Sequence, residues 1–181
     1  MKGMVFTEFL EMVEQTHSPG LAEEIIDSAE LPSGGAYTSV GTYDHNEMVT
    51  LVGNLSQKTG QSCPLLIHGF GNHLFSRLAE RYSNFFDGVD DAFDLLNKVD
   101  GYIHVEVRKL YPDAELPRFE CSQPDAGTLV MEYTSSRPFA DLAAGMIEAC
   151  IGHFGKPIDV VRDDLPGEPG THARFTLRKK G

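Results

Sequence analysis

Three hydrogen-bond donors recur at every second position of the stretch MEYTSSRPF, residues 131–139: Tyr133, Ser135 and Arg137. In an extended chain successive side chains point to opposite faces, so these three are expected to share one face. A planar guanidinium binds a carboxylate through two parallel hydrogen bonds. The spacing therefore predicts a clamp for a ligand that carries carboxylates. The alternative is a solvated strand end with a surface salt bridge.

His104 is the second candidate for chemistry. It is the only histidine in the longest helical pattern of the chain, residues 90–111, where it borders the apolar stripe. At about 100° per residue, Phe93 and Tyr111 point in nearly the same direction, so a half-buried imidazole among aromatic rings is expected. Such a histidine is either a packed boundary residue or an axial metal ligand.

The surroundings of His104 in the sequence narrow the kind of metal group that it could bind. No other histidine, cysteine or carboxylate stands at metal-cluster spacing beside it, which argues against a zinc site with several protein ligands. A porphyrin needs only one protein ligand, because it supplies the equatorial nitrogens itself, and it also brings propionates for a clamp to hold. His104 and the three donors are thus compatible with one cofactor.

Composition limits the classes of function that remain. The chain has 181 residues with 41% hydrophobic content, enough for one domain or two small lobes with a shared core. Acidic residues outnumber basic ones 27 to 15, and a formal net charge of -12 disfavours nucleic acid and anionic lipid as partners. No apolar run is long enough to span a membrane, and the first residues read as an amphipathic helix instead of a signal peptide. These features predict a cytoplasmic protein with reduced thiols at its three cysteines, Cys63, Cys121 and Cys150.

The periodicity changes from helical to alternating along the chain. Helical patterns cover 4–16, 21–31, 44–60, 63–82, 90–111 and 138–154, whereas strand patterns cover 116–122, 128–134, 158–164 and 172–180. The glycines in HGFGNH, residues 68–73, lie inside a helical pattern where small residues let helices approach each other. The prediction is a single α+β domain over 1–181, with a helical lobe to about residue 111 and a strand-rich lobe with one helix from about residue 112.

Taken together, these segments resemble the H-NOX family, the heme nitric oxide/oxygen binding domains related to the sensor domain of soluble guanylate cyclase. The resemblance covers essentially the whole chain: MKGMVFTEFLEMV resembles the family's N-terminus, GYIHVEVRKLYPDAELPRFE its proximal helix, and YTSSR its Tyr-x-Ser-x-Arg motif. It implies heme b between the two lobes, with His104 as the sole protein ligand of the iron. It also implies that Tyr133, Ser135 and Arg137 bind the propionates and that Pro117 packs against the porphyrin. A proline that simply opens an edge strand is the alternative for Pro117.

The resemblance also bears on which gas is bound. Dioxygen-binding members carry a tyrosine donor on the helix after the motif, and the aligned residue here is Leu142, in a helix without tyrosine. The residues that support that tyrosine elsewhere in the family are matched by Phe9 and Leu74. An apolar distal wall is therefore expected, made of Val5, Phe9, Leu74, Leu142 and Met146, although ordinary helix packing explains each of them equally well. Asn72, His73 and Cys150 remain possible donors. The expectation is binding of nitric oxide and carbon monoxide without a stable dioxygen complex.

The resemblance to stand-alone bacterial members implies a sensor, not an enzyme. Release of the iron–His104 bond would free the helix 90–111 and pass a signal to a separate effector, such as a histidine kinase or a cyclic-di-GMP enzyme. The C-terminal cysteines that bind zinc in some members are missing, and His153 and His172 make a poor zinc site. The alternatives are a non-heme ligand-binding protein or a hydrolase, although no recognisable catalytic motif is present.

Overall fold

The computed structural model describes residues 1–180, which form seven α-helices and a small sheet. Six of the helices precede the sheet in the chain, and the seventh lies between its second and third strands. The helices are α1 (Gly3–Thr16), α2 (Pro19–Asp27), α3 (His45–Thr59), α4 (Cys63–Arg81), α5 (Ala92–Asn97), α6 (His104–Leu110) and α7 (Ala140–Phe154), with a 3-10 turn at Ser83–Phe86 and a π-helical turn at Val99–Ile103. The strands are β1 (Arg118–Asp125), β2 (Thr128–Thr134), β3 (Ile158–Asp164) and β4 (His172–Lys179). The α+β prediction is confirmed.

Local sequence signals explain several helix boundaries. Ser18 caps α2 by accepting a hydrogen bond from the Leu21 amide, and Pro19 occupies the first position of that helix. Asp44 caps α3 in the same way through the Asn46 amide. Gly60 ends α3 with a φ of 72°, a left-handed conformation that glycine adopts without a steric penalty.

The sheet is antiparallel with strand order β1-β2-β4-β3. Alternate residues of the two central strands are buried on one face: Leu129, Met131, Tyr133, Ala173, Phe175 and Leu177. This face packs with α5 and α7 into a sheet-side core. A second core, the helical core, is built from α1 to α4. Residues of α7 belong to both cores, so this helix is the wall that they share.

The segment 90–111 is not the single long helix that its periodicity predicts, and the longest helix is α4 with 19 residues. The segment 90–111 divides into α5, the π-helical turn and α6. In the π-helical turn the Ile103 amide donates to the Lys98 carbonyl, five residues back, at 3.0 Å, which is the hydrogen bond of a π-helix. Periodicity cannot distinguish these helix types over so short a stretch. Two predicted ends also shift: α2 stops at Asp27 instead of residue 31, and α7 begins at Ala140, after Pro138.

Two further features of the fold concern the helices. The close approach expected in HGFGNH is present at Gly71, where α4 meets the backbone of α7, whereas Gly69 faces open space. Within residues 1–180, no helix is both long and apolar enough to cross a membrane.

Candidate functional site

His104 is the first residue of α6 and follows the π-helical turn directly. It is only 9% exposed, and its Nδ1 lies 3.2 Å from Asp100 Oδ1. Because a carboxylate can only accept, Nδ1 carries the proton and Nε2 keeps a free lone pair, which is the tautomer that binds a metal. Burial lowers the pKa of His104, while the hydrogen bond to Asp100 opposes that change. The imidazole is therefore favoured in its neutral, ligating form.

Asp100 also connects the π-helical turn to the sheet. Its Oδ1 accepts a hydrogen bond of 3.4 Å from the Phe119 amide, at the start of β1. The Phe119 ring lies 6.1 Å from the His104 ring and 5.4 Å from the Tyr133 ring. The sequence analysis did not identify Asp100 or Phe119 as neighbours of His104, although the i,i+4 spacing of Asp100 and His104 was a usable signal.

Tyr133 is the last buried residue of β2, at 1% exposure. Burial raises the pKa of its phenol, so the hydroxyl remains a donor. Strand alternation does not relate it to Ser135 and Arg137, because β2 ends at Thr134. A compact turn does so instead: Ser135 Oγ accepts from the Arg137 amide at 3.0 Å, and Tyr133 Oη lies 3.5 Å from the Arg137 carbonyl oxygen. These contacts bring the Tyr133 and Ser135 hydroxyls to the backbone of Arg137.

The guanidinium of Arg137 is already paired with an acidic residue that the sequence reading missed. Its Nη1 donates to the Glu115 carbonyl oxygen at 3.2 Å, and its Nη2 binds the Glu115 carboxylate. The Arg137 side chain is 14% exposed whereas that of Glu115 is 73% exposed, so solvent screens the pair from one side. Arg137 and Glu115 line a cavity of about 480 Å³ together with Lys2 and His45. A carboxylate ligand could therefore replace that of Glu115.

The five predicted distal residues share the helical core. Phe9 and Leu74 are buried at 0% and 5% exposure, and Val5, Leu142 and Met146 are half-buried against the same core. Pro117, half-buried, stands directly before β1 and after the segment that carries Glu115. His104, Phe119 and Tyr133 lie with the sheet-side core instead. The two sets of predicted ligand contacts therefore belong to the two cores that α7 joins.

The three possible distal donors have different surroundings. Cys150 is fully buried in the sheet-side core, where burial raises its pKa to about 12. Asn72 Nδ2 donates to the His68 carbonyl oxygen at 3.3 Å, and His73 Nε2 is turned toward Glu8 at 3.6 Å. The five residues predicted to form the distal wall are all apolar.

The donor set fits a heme group. The largely buried imidazole of His104 would supply one ligand to the iron, and the Arg137 guanidinium with the Tyr133 and Ser135 hydroxyls would bind the carboxylates. Within the described residues, no group of three or more histidine, cysteine or acidic side chains is placed to hold a metal ion. The structure is thus an α+β domain with one buried histidine, His104, as a candidate metal ligand.

Comparison with known proteins gives the family. The model of the Haem-NO-binding domain, HNOB, matches residues 2–162, and the chain belongs to this H-NOX family. It is similar to the Fe(II) unliganded H-NOX protein of K. algicida, at 37% identity and a TM-score of 0.94, over 100% of this chain and 97% of that one. It is also similar to the H-NOX of Shewanella woodyi, bound to IWP-051 in the Fe(II)CO state, at 38% identity, a TM-score of 0.84, and coverage of 99% and 95%. A search of curated proteins returned no match. The protein is therefore a heme-based gas sensor.

Proposed function

We propose that this protein senses nitric oxide at a ferrous heme b held by His104, also binds carbon monoxide, and forms no stable dioxygen complex. The observation that carries the proposal is the buried His104 imidazole, with its Nδ1 engaged by the half-buried Asp100 and its Nε2 free. An outer carboxylate of this kind orients a metal-bound histidine and increases its basicity. When bound, heme would supply an iron centre that takes diatomic gases.

The selectivity for gas rests on the distal wall. Iron-bound dioxygen carries partial negative charge and needs a hydrogen-bond donor, whereas nitric oxide and carbon monoxide do not. Leu142 occupies the position aligned with the tyrosine donor, and the helix α7 contains no tyrosine. The relative from Shewanella woodyi takes carbon monoxide at Fe(II), in agreement with a pocket for neutral diatomic ligands.

The propionate clamp is proposed at Tyr133, Ser135 and Arg137, with Pro117 against the porphyrin. Arg137 supports this role because its guanidinium is largely shielded from solvent while its present partner, Glu115, is largely exposed. A propionate can take the place of the Glu115 carboxylate without leaving a buried charge unpaired.

Signalling is proposed to begin at His104. Loss of its bond to iron would leave the π-helical turn and α6 held to the sheet by the hydrogen bond from the Phe119 amide to Asp100 and by the packing of Val99 and Ile103 in the sheet-side core. The two lobes, about 1–111 and 112–181 of one domain, can then change their relative position, which a separate effector such as a histidine kinase or a cyclic-di-GMP enzyme reads.

An absorption spectrum of the reduced protein tests the proposal. We expect a Soret band that shifts with nitric oxide and with carbon monoxide and that forms no persistent dioxygen species in air. A His104→Gly variant should lose the ferrous parent spectrum and regain it with added imidazole. A stable dioxygen spectrum would contradict the selectivity, and a colourless protein after expression with ample heme would contradict the cofactor assignment.

A further inference from the structure

A buried carboxylate joins α1 and α4, two of the three helices that carry the predicted distal wall. Glu8, on α1, has a side chain only 6% exposed, and its Oε2 accepts a hydrogen bond of 3.0 Å from Arg77 Nε on α4. Arg81 Nη2 lies 3.7 Å from Oε1, and His73 Nε2 lies 3.6 Å from Oε2. We refer to Glu8, His73, Arg77 and Arg81 as the Glu8 cluster.

The Glu8 cluster lies next to the distal wall in the sequence on both helices. Glu8 directly precedes Phe9, and His73 directly precedes Leu74. The Phe9 ring packs edge-on against Phe70 of α4 at 5.3 Å. Because a helix turn moves as a unit, the separation of α1 and α4 at the cluster also fixes the separation of Phe9 from Leu74.

We propose that Glu8, held by Arg77, is a positioning residue that sets the width of the apolar distal pocket by fixing the spacing of α1 and α4. This inference rests on the proposed function, since it concerns access of gas to the site opposite His104. In this proposal a charged pair remote from the iron ligand controls how readily a diatomic ligand enters the distal pocket.

The contacts of the cluster indicate positioning in preference to simple packing. An apolar pair would join α1 and α4 without removing a carboxylate from water, and in some proteins a buried polar or charged group specifies geometry at the expense of stability. Among the described residues His73 Nε2 is buried and makes no hydrogen bond. Arg77 therefore supplies the directional contact, and its loss frees α1 to move away from α4.

The chain offers a matched control on the same arginine. Glu11, one turn after Glu8 on α1, lies 3.4 Å from Arg77 Nη2, but its side chain is 40% exposed. Glu11→Gln therefore removes a surface partner of Arg77, whereas Glu8→Gln removes the buried one. Arg77→Gln is the second test variant, in which Glu8 retains His73 and Arg81 as neighbours.

The experiment uses the heme-loaded full chain, with carbon monoxide as the probe. The association rate is measured by flash photolysis, the C–O stretching frequency by infrared spectroscopy, and the opening of α1 by amide hydrogen exchange. We expect Glu8→Gln and Arg77→Gln to raise the association rate about threefold, with a shifted stretching band and faster exchange in α1, and Glu11→Gln to match the parent.

Two results would overturn the inference: a parent-like rate and band in folded Glu8→Gln or Arg77→Gln, or an equal change in Glu11→Gln. If Glu8→Gln does not fold, Arg77→Gln decides between these outcomes. If the parent binds carbon monoxide normally and the variants match it, this inference is wrong but the proposed function stands. A parent that neither takes up heme nor binds carbon monoxide removes the proposed function as well.

Discussion

Gly71 of α4 and Gly145 of α7 bring two helix backbones into direct contact. A β-carbon on Gly145 would stand 3.1 Å from the Gly71 Cα and 2.0 Å from the carbonyl oxygen of His68. The proposed distal residues Leu142 and Met146 flank Gly145 on α7. The close crossing therefore positions one side of the proposed distal pocket, and it admits no side chain at Gly145 without displacement of a helix.

Gly145→Ala should lower the free energy of unfolding by about 1–3 kcal/mol, because the added methyl group meets rigid backbone. Urea denaturation followed by circular dichroism measures the change. Gly152→Ala, on the same helix, is the control: a β-carbon there meets nothing within 4 Å. Since alanine favours a helix over glycine by about 1 kcal/mol, this control should be neutral or stabilising. Equal effects of the two substitutions would show that the crossing is not tight.

The sequence predicted what depends on local pattern. Helical and alternating periodicity predicted the α+β fold and nearly every element, and a short motif led to Tyr133, Ser135 and Arg137 as one site. The features that it missed depend on contacts between distant segments. The π-helical turn places the Asp100 carboxylate against the Phe119 amide of β1, and the Arg137 guanidinium pairs with the carboxylate of Glu115, 22 residues earlier. No local periodicity encodes such long-range contacts.

Asp100→Asn should weaken heme retention about tenfold, because an amide that faces Nδ1 no longer favours its protonated tautomer as a carboxylate does. The rate of heme transfer to an excess of a competing apoprotein measures retention. Glu106→Gln is the control, since Glu106 lies on α6 but pairs with Lys109 at the surface. If Asp100→Asn and Glu106→Gln release heme at the parent's rate, Asp100 does not support His104.

The Asp91–Lys179 pair leads to a prediction of how the stability of the protein depends on pH. Its hydrogen bond from Lys179, at 2.7 Å, holds the pKa of the carboxyl below its ordinary value of 3.8. A carboxyl with a lowered folded pKa stabilises the protein above its unfolded pKa, and this contribution is lost as pH falls through the folded value. Asp91→Ser keeps a helix-capping oxygen for α5 but removes the charge.

The parent should therefore exceed Asp91→Ser in unfolding free energy by about 1 kcal/mol near neutral pH, and the difference should shrink below about pH 4. Urea unfolding from neutral pH to well below about pH 4 measures this difference. A difference that stays constant with pH would assign the effect to helix capping alone.

Arg137→Ala should lower heme affinity about tenfold or more, since it removes a charge-assisted contact to a propionate. Glu115→Gln is the paired variant, because it removes the present partner of Arg137 but leaves the guanidinium in place. Heme titration of the apoprotein should show unchanged or tighter binding for Glu115→Gln. Weaker binding in Glu115→Gln, equal to that of Arg137→Ala, would mean that the pair has only a structural role.

Leu142→Tyr should convert the distal wall into one that retains dioxygen. The side chain of Leu142 is half-buried against the helical core, so a phenol at this position would direct its hydroxyl into an apolar surrounding. A hydrogen bond to a partly charged ligand contributes about 1.5–3 kcal/mol, which corresponds to a dioxygen lifetime longer by about ten- to a hundredfold. Leu142→Phe has the same ring without the donor and should behave as the parent does. Stopped-flow spectra of the reduced variants in air measure these lifetimes, and a long-lived dioxygen complex in Leu142→Phe would show that pocket volume, not the donor, governs selectivity.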